Sequence, residues 1–367
     1  MGLSNALLLS SRHHVELYDI NEKKRQAIKK VDFSCLDEKN LNNFPININN
    51  IRVIDNISPD KYDFVIIALP TDSKLDGKLD ISTIVSAIKD IREEGIDSHI
   101  IIRSTLPITG SQSIIDQVGR FTYVPEFLRE GTAVNDSFYP SRIVVGGTDE
   151  SAQIASELFS KCALNNPKVL LTNHVEAECI KLFSNTYLAM RVAFFNELDT
   201  FMLENKINAD KVLQGMALDD RIGNYYNNPS FGFGGYCLPK DTEEVINSIN
   251  SKMISQINVS NLFRIQSLAK HICELGFNNI GVYKLSSKIE SSGIRNSSTI
   301  LLIEALKKCN KNVYIYDSID FIIEGCVRIN SIERLFELSD IVIANRLDNH
   351  VKQYKDKIFT RDIFSRN

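Results

Sequence analysis

The residues with the clearest chemical capacity lie in one short segment, NNPSFGFGGYCLPKD, which runs from Asn227 to Asp241. Its glycines let the backbone adopt positive φ or pass close to a ligand. Cys237 follows them, with a lysine and an aspartate three and four residues later. Nearby positive charge and a helix N-terminus both favour a thiolate. We therefore interpret Cys237 as a nucleophile, whereas the other six cysteines are expected to be small, buried hydrophobic residues.

A second candidate pair, Lys181 and Asn185, lies within residues 168–214, which contain neither glycine nor proline. Apolar residues recur at steps of three and four between positions 180 and 201, which predicts one long helix. Residues four apart share one face of a helix. A lysine and an asparagine aimed into a cleft would hold an oxyanion, although an isolated lysine on a helix is more often solvated.

Acids and threonines follow three of the apolar runs. Residues 123–131 carry Glu126 and Glu130, while Thr71 and Thr105 each come shortly after another run. Ligands of open α/β sheets bind at the carboxyl ends of the strands, so these side chains are candidates for a shared site. The simpler interpretation of residues 123–131 is a strand-to-helix corner with surface acids.

Short β-rich runs alternate with helical stretches in both halves of the chain, and a mostly parallel sheet accounts for this pattern. The predicted fold class is α/β, with two doubly wound, Rossmann-like domains joined by a long central helix. We expect helices over 81–94 and 299–308. The predicted strands are 14–20, 64–69, 99–103, 121–124, 142–146, 168–171, 280–284, 312–316 and 340–344.

Composition excludes several classes of protein. The 367 residues are 43% hydrophobic and 24% charged, as in ordinary globular proteins of more than one domain. A net charge of −4 is too mild to indicate a nucleic-acid partner. No apolar run approaches the ~20 residues of a membrane span. Seven cysteines without CxxC spacing and six histidines without HxxxH spacing predict neither a disulfide framework nor a metal site, which fits a cytoplasmic protein without a signal peptide.

Together these segments resemble the UDP-glucose/GDP-mannose dehydrogenase family, and within it the short bacterial UDP-glucose 6-dehydrogenases. The resemblance runs from Gly2 to the C-terminus and is most specific in the segment around Cys237. It implies an NAD-binding Rossmann-like domain over 1–170, a central helical dimerisation and catalytic domain over 171–265, and a C-terminal UDP-sugar-binding α/β domain over 266–367. The long helix would then serve a homodimer.

The resemblance implies a double oxidation of UDP-glucose to UDP-glucuronate with NAD as cofactor. Cys237 would add to the C6 aldehyde, giving a thiohemiacetal and then a thioester that water releases. A thiolate suits both roles, because it adds readily to an aldehyde and leaves readily from a thioester. Lys181 and Asn185 would stabilise oxyanions. The division of base and water-positioning roles stays open among Asp241, Glu126, Glu130 and Thr105.

Further residues follow from the resemblance alone. Arg221 would reach the sugar from the partner subunit. Isoleucine and glutamate at 289 and 290 replace the family's serine and glycine, which puts negative charge near a diphosphate. The implied substrate-binding residues are Phe127, Leu128, Arg129, Arg221, Tyr226, Gly234, Lys288 and Arg346. The implied cofactor-binding residues are Gly2, Asp19, Lys24, Thr71, Thr105, Glu130 and Arg295.

The sequence departs most from the family at its start. Family members open with a strand and a Gly-x-Gly-Tyr-Val-Gly-Leu turn, of which Gly2 matches only the last glycine. The missing strand would be central in a doubly wound sheet, and its turn approaches the pyrophosphate. We therefore expect an N-terminally truncated chain that binds NAD poorly and is weakly active or inactive. The competing explanation is a translation start further upstream.

Three other functions stay open. A related dehydrogenase would keep the chemistry but take GDP-mannose or UDP-N-acetylmannosamine. A non-catalytic remnant would bind a UDP-sugar without oxidising it, although the retention of Cys237, Lys181, Asn185 and Asp241 argues against long decay. A thiol enzyme that does not use NAD would have no need of Asp19 or of the first α/β half.

Overall fold

The computed structural model describes residues 1–38, 40–59, 62–147, 150–286, 296–319 and 321–365. The chain divides into two compact units between Ser184 and Asn185. Each is an α/β unit with a mostly parallel sheet, which confirms the predicted fold class. The finer division into three domains at residues 170 and 265 stays a prediction.

The first unit carries seven of the strands that the structure describes. The strands are β1 (Val15–Leu17), β2 (Ile51–Val53), β3 (Phe64–Ile67), β4 (His99–Ile102), β5 (Phe121–Tyr123), β6 (Arg142–Gly146) and β7 (Lys168–Thr172). The helices are α1 (Gly2–Ser10), α2 (Glu22–Lys29), α3 (Ser82–Glu93), α4 (Gly110–Val118), α5 (Ala133–Phe138), α6 (Glu150–Cys162) and the first part of α7 (His174–Glu204).

The strands of the first unit form a five-stranded sheet in the order β3-β4-β5-β6-β7 and a separate parallel pair, β1-β2. Only the β5–β6 pair is antiparallel within the described sheet. The Tyr62 hydroxyl, just before β3, donates a hydrogen bond of 2.7 Å to Glu16 of β1. The strand β2 was not among the predicted strands. Three residues inside an asparagine-rich stretch leave too short a pattern to recognise.

The core of the first unit explains why its strands read as continuous apolar runs. In β4, Ile101 packs with Leu7 of α1 on one face. Ile100 and Ile102 pack with Ile84 of α3 on the other. A strand buried on both faces needs apolar side chains at every position. Because β3, β4 and β5 are parallel, their carboxyl ends and the loops that follow them lie along one edge of this sheet.

The second unit contains a fully parallel sheet in the order β10-β9-β8-β11-β12. The strands β10 and β12 were not predicted, because they span only three and two residues. The strands are β8 (Asn279–Tyr283), β9 (Asn312–Tyr316), β10 (Cys326–Arg328), β11 (Ile341–Ala344) and β12 (Ile358–Phe359). The helices beyond α7 are α8 (Ala209–Ala217), α9 (Cys237–Ser248), α10 (Gln256–Glu274), α11 (Ser298–Lys308) and α12 (Ile332–Leu338).

The long helix α7 contains 31 residues, as the uninterrupted spacing predicted. Aromatic residues on it remain exposed, including Phe183, Tyr187, Phe194 and Phe201, which are 42–58% accessible. Their steps of four and seven residues place them on one side of the helix. A row of exposed aromatic side chains on a stable helix is typical of an interaction surface.

Candidate active site

Cys237 is the first residue of α9, directly after the glycine-rich turn. Its side chain is half-buried. The first turn of a helix presents unpaired N–H groups and the positive end of the helix dipole, which favours a thiolate at this position. Gly232 precedes it with φ +141°, and a Cβ there would lie 2.8 Å from Oδ1 of Asn261. Only glycine fits that approach.

Asp241 lies one turn after Cys237 on the same helix, and it is fully buried. The Asn185 amide donates a hydrogen bond of 2.6 Å to its Oδ2. The Lys240 ammonium donates one of 2.7 Å to its Oδ1, and that lysine is itself 5% exposed. Cys237 and Asp241 are four residues apart and therefore share a face of α9. The second unit thus brings Asn185, Lys240 and Asp241 together beside the helix turn that carries the thiol.

The substrate-binding candidates of the second unit divide into two groups. Tyr226 and Gly234 lie in the glycine-rich segment, with Tyr226 at φ +50° and 39% exposed. The Arg346 side chain is half-buried, and its guanidinium donates a hydrogen bond of 2.7 Å to the carbonyl of Pro229 in that segment. Arg221 lies apart, because its side chain is 89% exposed and pairs only with its neighbour Asp219 in the described structure.

Glu126 and Lys181 form a buried pair in the first unit. The Lys181 ammonium lies 3.6 Å from Oε1 of Glu126 and donates a hydrogen bond of 2.6 Å to its carbonyl oxygen. The Leu128 N–H donates to Oε2 across 2.6 Å. Burial raises the pKa of Glu126, but Lys181, this N–H and Arg103 outweigh it, so the pKa lies below its usual value. Glu126 is therefore an anion that orients the lysine.

Arg103, which was not among the predicted site residues, directly follows β4 and is buried. Burial lowers its pKa to about 10, although Glu126 and Tyr123 act in the opposite direction. Its guanidinium lies 4.5 Å from the centre of the Phe159 ring. Its Nε has no hydrogen-bond acceptor among the described residues. A cation immediately after a buried strand was the signal in the sequence that pointed to this position.

The threonines and the aromatic corner lie at the strand ends, where the sequence placed them. Thr71 and Thr105 are buried in the loops after β3 and β4. Ser104 locks these loops together, because its hydroxyl bonds both the N–H and the carbonyl of Leu69 at 2.8 Å. The Phe127 ring packs under the Arg142 guanidinium, 4.0 Å from its centre. These contacts hold the loops after β3 and β4, and the ring of Phe127, in fixed positions.

Two residues of that corner face outward. Glu130 is exposed. Arg129 is 59% exposed and forms a two-point contact with Asp136, at 3.0 Å and 2.6 Å. Neither side chain is part of the buried cluster around Glu126. Lys288 and Arg295 lie outside the described residues.

The cofactor candidates lie at the start of the chain. Gly2 begins α1, and a Cβ there would meet Ala68 just beyond β3 at 3.6 Å. Asp19 follows β1, and its carboxylate accepts a hydrogen bond of 2.8 Å from the Asn21 N–H. The Lys24 ammonium lies 3.7 Å from the same carboxylate. A helix N-terminus at one strand end and a carboxylate at the next form the pattern that holds the pyrophosphate and ribose of a dinucleotide.

Among the described residues no helix has the length and apolar content to cross a membrane. The same residues contain no group of three or more histidine, cysteine, aspartate or glutamate side chains arranged to hold a metal ion. No disulfide joins any of the seven cysteines, all of which are described. Cys35 and Cys309 are exposed, so the expectation that every cysteine other than Cys237 is buried was wrong for these two.

A doubly wound unit with a dinucleotide-type strand edge, followed by a unit with a cysteine at a helix N-terminus, defines an α/β dehydrogenase class. Residues 1–163 match the NAD binding domain of the UDP-glucose/GDP-mannose dehydrogenase family, and residues 175–265 match its central domain. The chain belongs to this family. The first match assigns NAD binding to the first unit.

Relatives support the assignment over the full length. A UDP-glucose 6-dehydrogenase of Campylobacter jejuni is 37% identical, over 99% of this chain and 96% of that protein. One from Streptococcus pneumoniae is 34% identical, over 100% of this chain and 97% of that protein. The solved structure of a UDP-glucose dehydrogenase from Pyrobaculum islandicum has the same fold. Its TM-score is 0.84 at 22% identity, covering 98% of this chain and 91% of that one.

Proposed function

We propose that this protein oxidises UDP-glucose to UDP-glucuronate with NAD, through a covalent intermediate on Cys237. The observation that carries the proposal is the placement of this thiol on the first turn of α9, one turn before the buried Asp241. The two full-length relatives named UDP-glucose 6-dehydrogenases favour this sugar nucleotide over the others.

The reaction has two oxidations and one hydrolysis. The C6 alcohol of the sugar loses a proton and a hydride and becomes an aldehyde. The Cys237 thiolate adds to the aldehyde carbon, and loss of a second hydride converts the thiohemiacetal into a thioester. Water then breaks the carbon–sulfur bond, which yields the carboxylate and returns the thiolate. NAD, when bound, accepts the hydride of each oxidation.

The chain's own residues supply the charge and the proton transfers. Lys181 and Asn185 project from α7 as donors for the oxyanions that form at C6. Asp241 is held by its two donors and serves as the base or as the anchor of the hydrolytic water. Glu126 and Thr105 would position water in the first unit, with Glu126 also orienting Lys181. The resemblance gives the same role to Glu130, although its side chain is exposed.

The expectation that the chain binds NAD poorly stays a prediction, while the described residues of the first unit offer groups that fit NAD. The exposed start of α1 at Gly2 suits the pyrophosphate, and the Asp19 carboxylate with Lys24 beside it suits the adenosine ribose. Thr71, Thr105 and Glu130 belong to the same strand-end region, and Arg295 completes the family pattern. For UDP-glucose we propose contacts from Phe127, Leu128, Arg129, Tyr226, Gly234, Lys288 and Arg346.

We also propose that two copies of the chain form a homodimer through the exposed aromatic residues of α7. Arg221 is 89% exposed and pairs only with Asp219 in the described structure, so it is available to the partner's sugar site. Mixing Arg221→Ala with Cys237→Ala chains tests this arrangement. One of the two sites in a mixed dimer would then hold both an intact Cys237 and the partner's intact Arg221, so activity should reappear. No recovery in mixed dimers confirmed by mass would rule out sharing.

We propose, from the same thiol chemistry, that the protein is located in the cytoplasm. A reactive Cys237 with six further thiols and no disulfide is suited to a reducing compartment.

The substrate assignment is tested with a panel of sugar nucleotides. NADH formation is followed with UDP-glucose, UDP-N-acetylmannosamine and GDP-mannose at equal concentrations. We expect kcat/KM for UDP-glucose to exceed the others by about 10² or more, because a site built around one sugar's hydroxyls leaves polar groups unpaired with another. A higher kcat/KM for either competitor would replace the assignment while keeping the chemistry.

A further inference from the structure

The residues before Cys237 are held by side chains from distant parts of the second unit. We call residues Asn227–Gly234 the glycine loop. The side chain of Asn261 on α10 binds both backbone polar groups of Phe233. Its oxygen accepts from the Phe233 N–H at 2.8 Å, and its nitrogen donates to the Phe233 carbonyl at 3.0 Å. Further contacts to the loop come from Asn196 to the Ser230 N–H, from Asn345 to the Phe231 N–H and from Ser298 to the Gly232 carbonyl.

The last part of the chain adds a second set of contacts. We call residues Arg361–Phe364 the C-terminal clasp. The Asn228 amide donates a hydrogen bond of 2.7 Å to Oδ1 of Asp362. Its oxygen accepts from the N–H groups of Ile363 at 3.1 Å and Phe364 at 3.2 Å. Both ends of this buried amide therefore contact the clasp, and Oδ2 of Asp362 accepts from the Leu347 N–H at 2.9 Å.

A buried ion network reaches the loop from the same clasp. Arg361 forms two hydrogen bonds to the carboxylate of Asp199, which is fully buried on α7. Arg264 of α10 donates to the same carboxylate across 2.5 Å and to the carbonyl of Ser230 across 3.0 Å. A line of charged groups thus runs from Arg361 through Asp199 and Arg264 to the loop.

We propose that Asp362 and Asn228 are positioning residues for the nucleotide sugar, and that the clasp sets the geometry of the glycine loop through them. The inference rests on the function proposed above, in which this loop contacts UDP-glucose. The loop ends three residues before Cys237, the first residue of α9, and several of its backbone groups are bound by side chains rather than by a β-ladder. Removing one hydrogen bond between Asn228 and the C-terminal clasp changes how well the loop fits the substrate, without altering any group that contacts the reacting atoms.

An exchange of the two side chains gives a matched test. The single variants Asn228→Asp and Asp362→Asn each lose or oppose the contact between the two residues. In the double variant, the amide at 362 donates to the carboxylate at 228, which still accepts from Ile363 and Phe364. The amide oxygen at 362 still accepts from Leu347. Every hydrogen bond between the clasp and residue 228 is thereby available again, and only the bond between residues 228 and 362 has its donor reversed.

We expect each single variant to raise KM for UDP-glucose about tenfold, the cost of one hydrogen bond, while kcat changes less than about twofold. The double variant should return KM to within about threefold of the wild type. A merely structural role would instead lower the thermal midpoint and the fraction of active enzyme at unchanged KM. That result, or a double variant worse than both singles, overturns the proposal.

Hydrogen exchange measured by mass spectrometry separates this inference from the function beneath it. Peptides covering the glycine loop should exchange about tenfold faster in both single variants and regain protection in the double variant, whatever substrate the enzyme takes. Loop exchange unchanged in the singles would overturn the positioning role. If the wild-type enzyme fails to oxidise UDP-glucose while the exchange pattern is as expected, the substrate assignment is wrong and the inference that the clasp positions the loop stands.

Discussion

Asn185 donates its amide N–H to the fully buried carboxylate of Asp241 across 2.6 Å. This bond fixes the amide, because its nitrogen is the atom that can donate to a carboxylate oxygen. Lys240 binds the other oxygen of the same carboxylate at 2.7 Å. The carboxylate is therefore held from two sides, one turn of helix after Cys237. In the mechanism proposed above, this fixed orientation would let the carboxylate receive a proton or position the hydrolytic water.

Replacing Asn185 with Asp should remove this arrangement. Two carboxylates would face each other in a buried site, and an oxyanion donor would be lost. We expect kcat to fall about 10²- to 10³-fold, which is the loss typical of one oxyanion donor. Steady-state kinetics measure the change. Asn247→Ala, at an exposed position on α9, is the matched control and should keep normal kcat. A kcat within a few-fold of wild type in Asn185→Asp would contradict the role of this pair.

Cys237→Ser should uncouple the two oxidations. A serine hydroxyl is not ionised at neutral pH and is a poorer nucleophile than a thiolate, and an alkoxide is a poorer leaving group, so steady-state turnover should drop at least about 10³-fold. Binding of UDP-glucose, measured by calorimetry, should stay close to normal because the side chain keeps its size. Cys309→Ser changes an exposed thiol and serves as the control. Turnover of Cys237→Ser comparable to that of the control would exclude covalent catalysis at this residue.

The buried Glu126–Lys181 pair predicts a pH dependence of stability. Burial raises the pKa of Glu126 in the folded protein, but Lys181, the Leu128 N–H and Arg103 act in the opposite direction, and the pKa lies below its ordinary value of 4.5. The resulting stabilisation is fully present above pH 4.5 and is lost as the pH falls through the folded value. Glu126→Gln should therefore cost about 3–5 kcal/mol of unfolding free energy at neutral pH. The difference from wild type should shrink in acid.

Urea unfolding of both proteins across that pH range measures this effect. Glu94→Gln, at an exposed position after α3, should follow the wild-type curve throughout. A difference between Glu126→Gln and wild type that stays constant down to the lowest usable pH would show that the carboxylate is not stabilised by folding.

The Asp199 carboxylate forms ion pairs with Arg264 and Arg361, and removal of its charge should destabilise the second unit. Arg264 is fully buried, and its pKa is lowered by burial although Asp199 opposes that shift. Asp199→Asn leaves two guanidinium groups without their anion, which costs about 3–5 kcal/mol for a broken buried pair. Denaturant unfolding measures the loss. Asp210→Asn, exposed on α8, provides the comparison. Equal stability of the two variants would contradict the importance of the network.

The sequence predicted the elements whose patterns are long or complete. β6 begins and ends where its apolar run does, and α7 follows from thirty-one residues without glycine or proline. β2, β10 and β12 were missed because two or three residues carry no periodicity. Their pairing depends on neighbouring strands that are distant in the chain, which local pattern does not report.

The site was predictable in its residue types but not in its supporting contacts. Cys237 and Asp241 stood out by their spacing within one segment. The ion network of Asp199, Arg264 and Arg361 joins three segments far apart in the chain. Its members lie in ordinary helical or terminal sequence. Only tertiary structure brings such groups together, so they could not be read from one sequence.

The stoichiometry of oxidation tests the central claim most directly. A limiting amount of UDP-glucose is converted to completion with excess NAD, and NADH absorbance is compared with the UDP-glucuronate formed. Two NADH for each sugar nucleotide, with no free aldehyde, is the result that a Cys237 thioester route predicts. One NADH for each sugar nucleotide with aldehyde as the end product would contradict it, because the thiol would then take no part in a second oxidation.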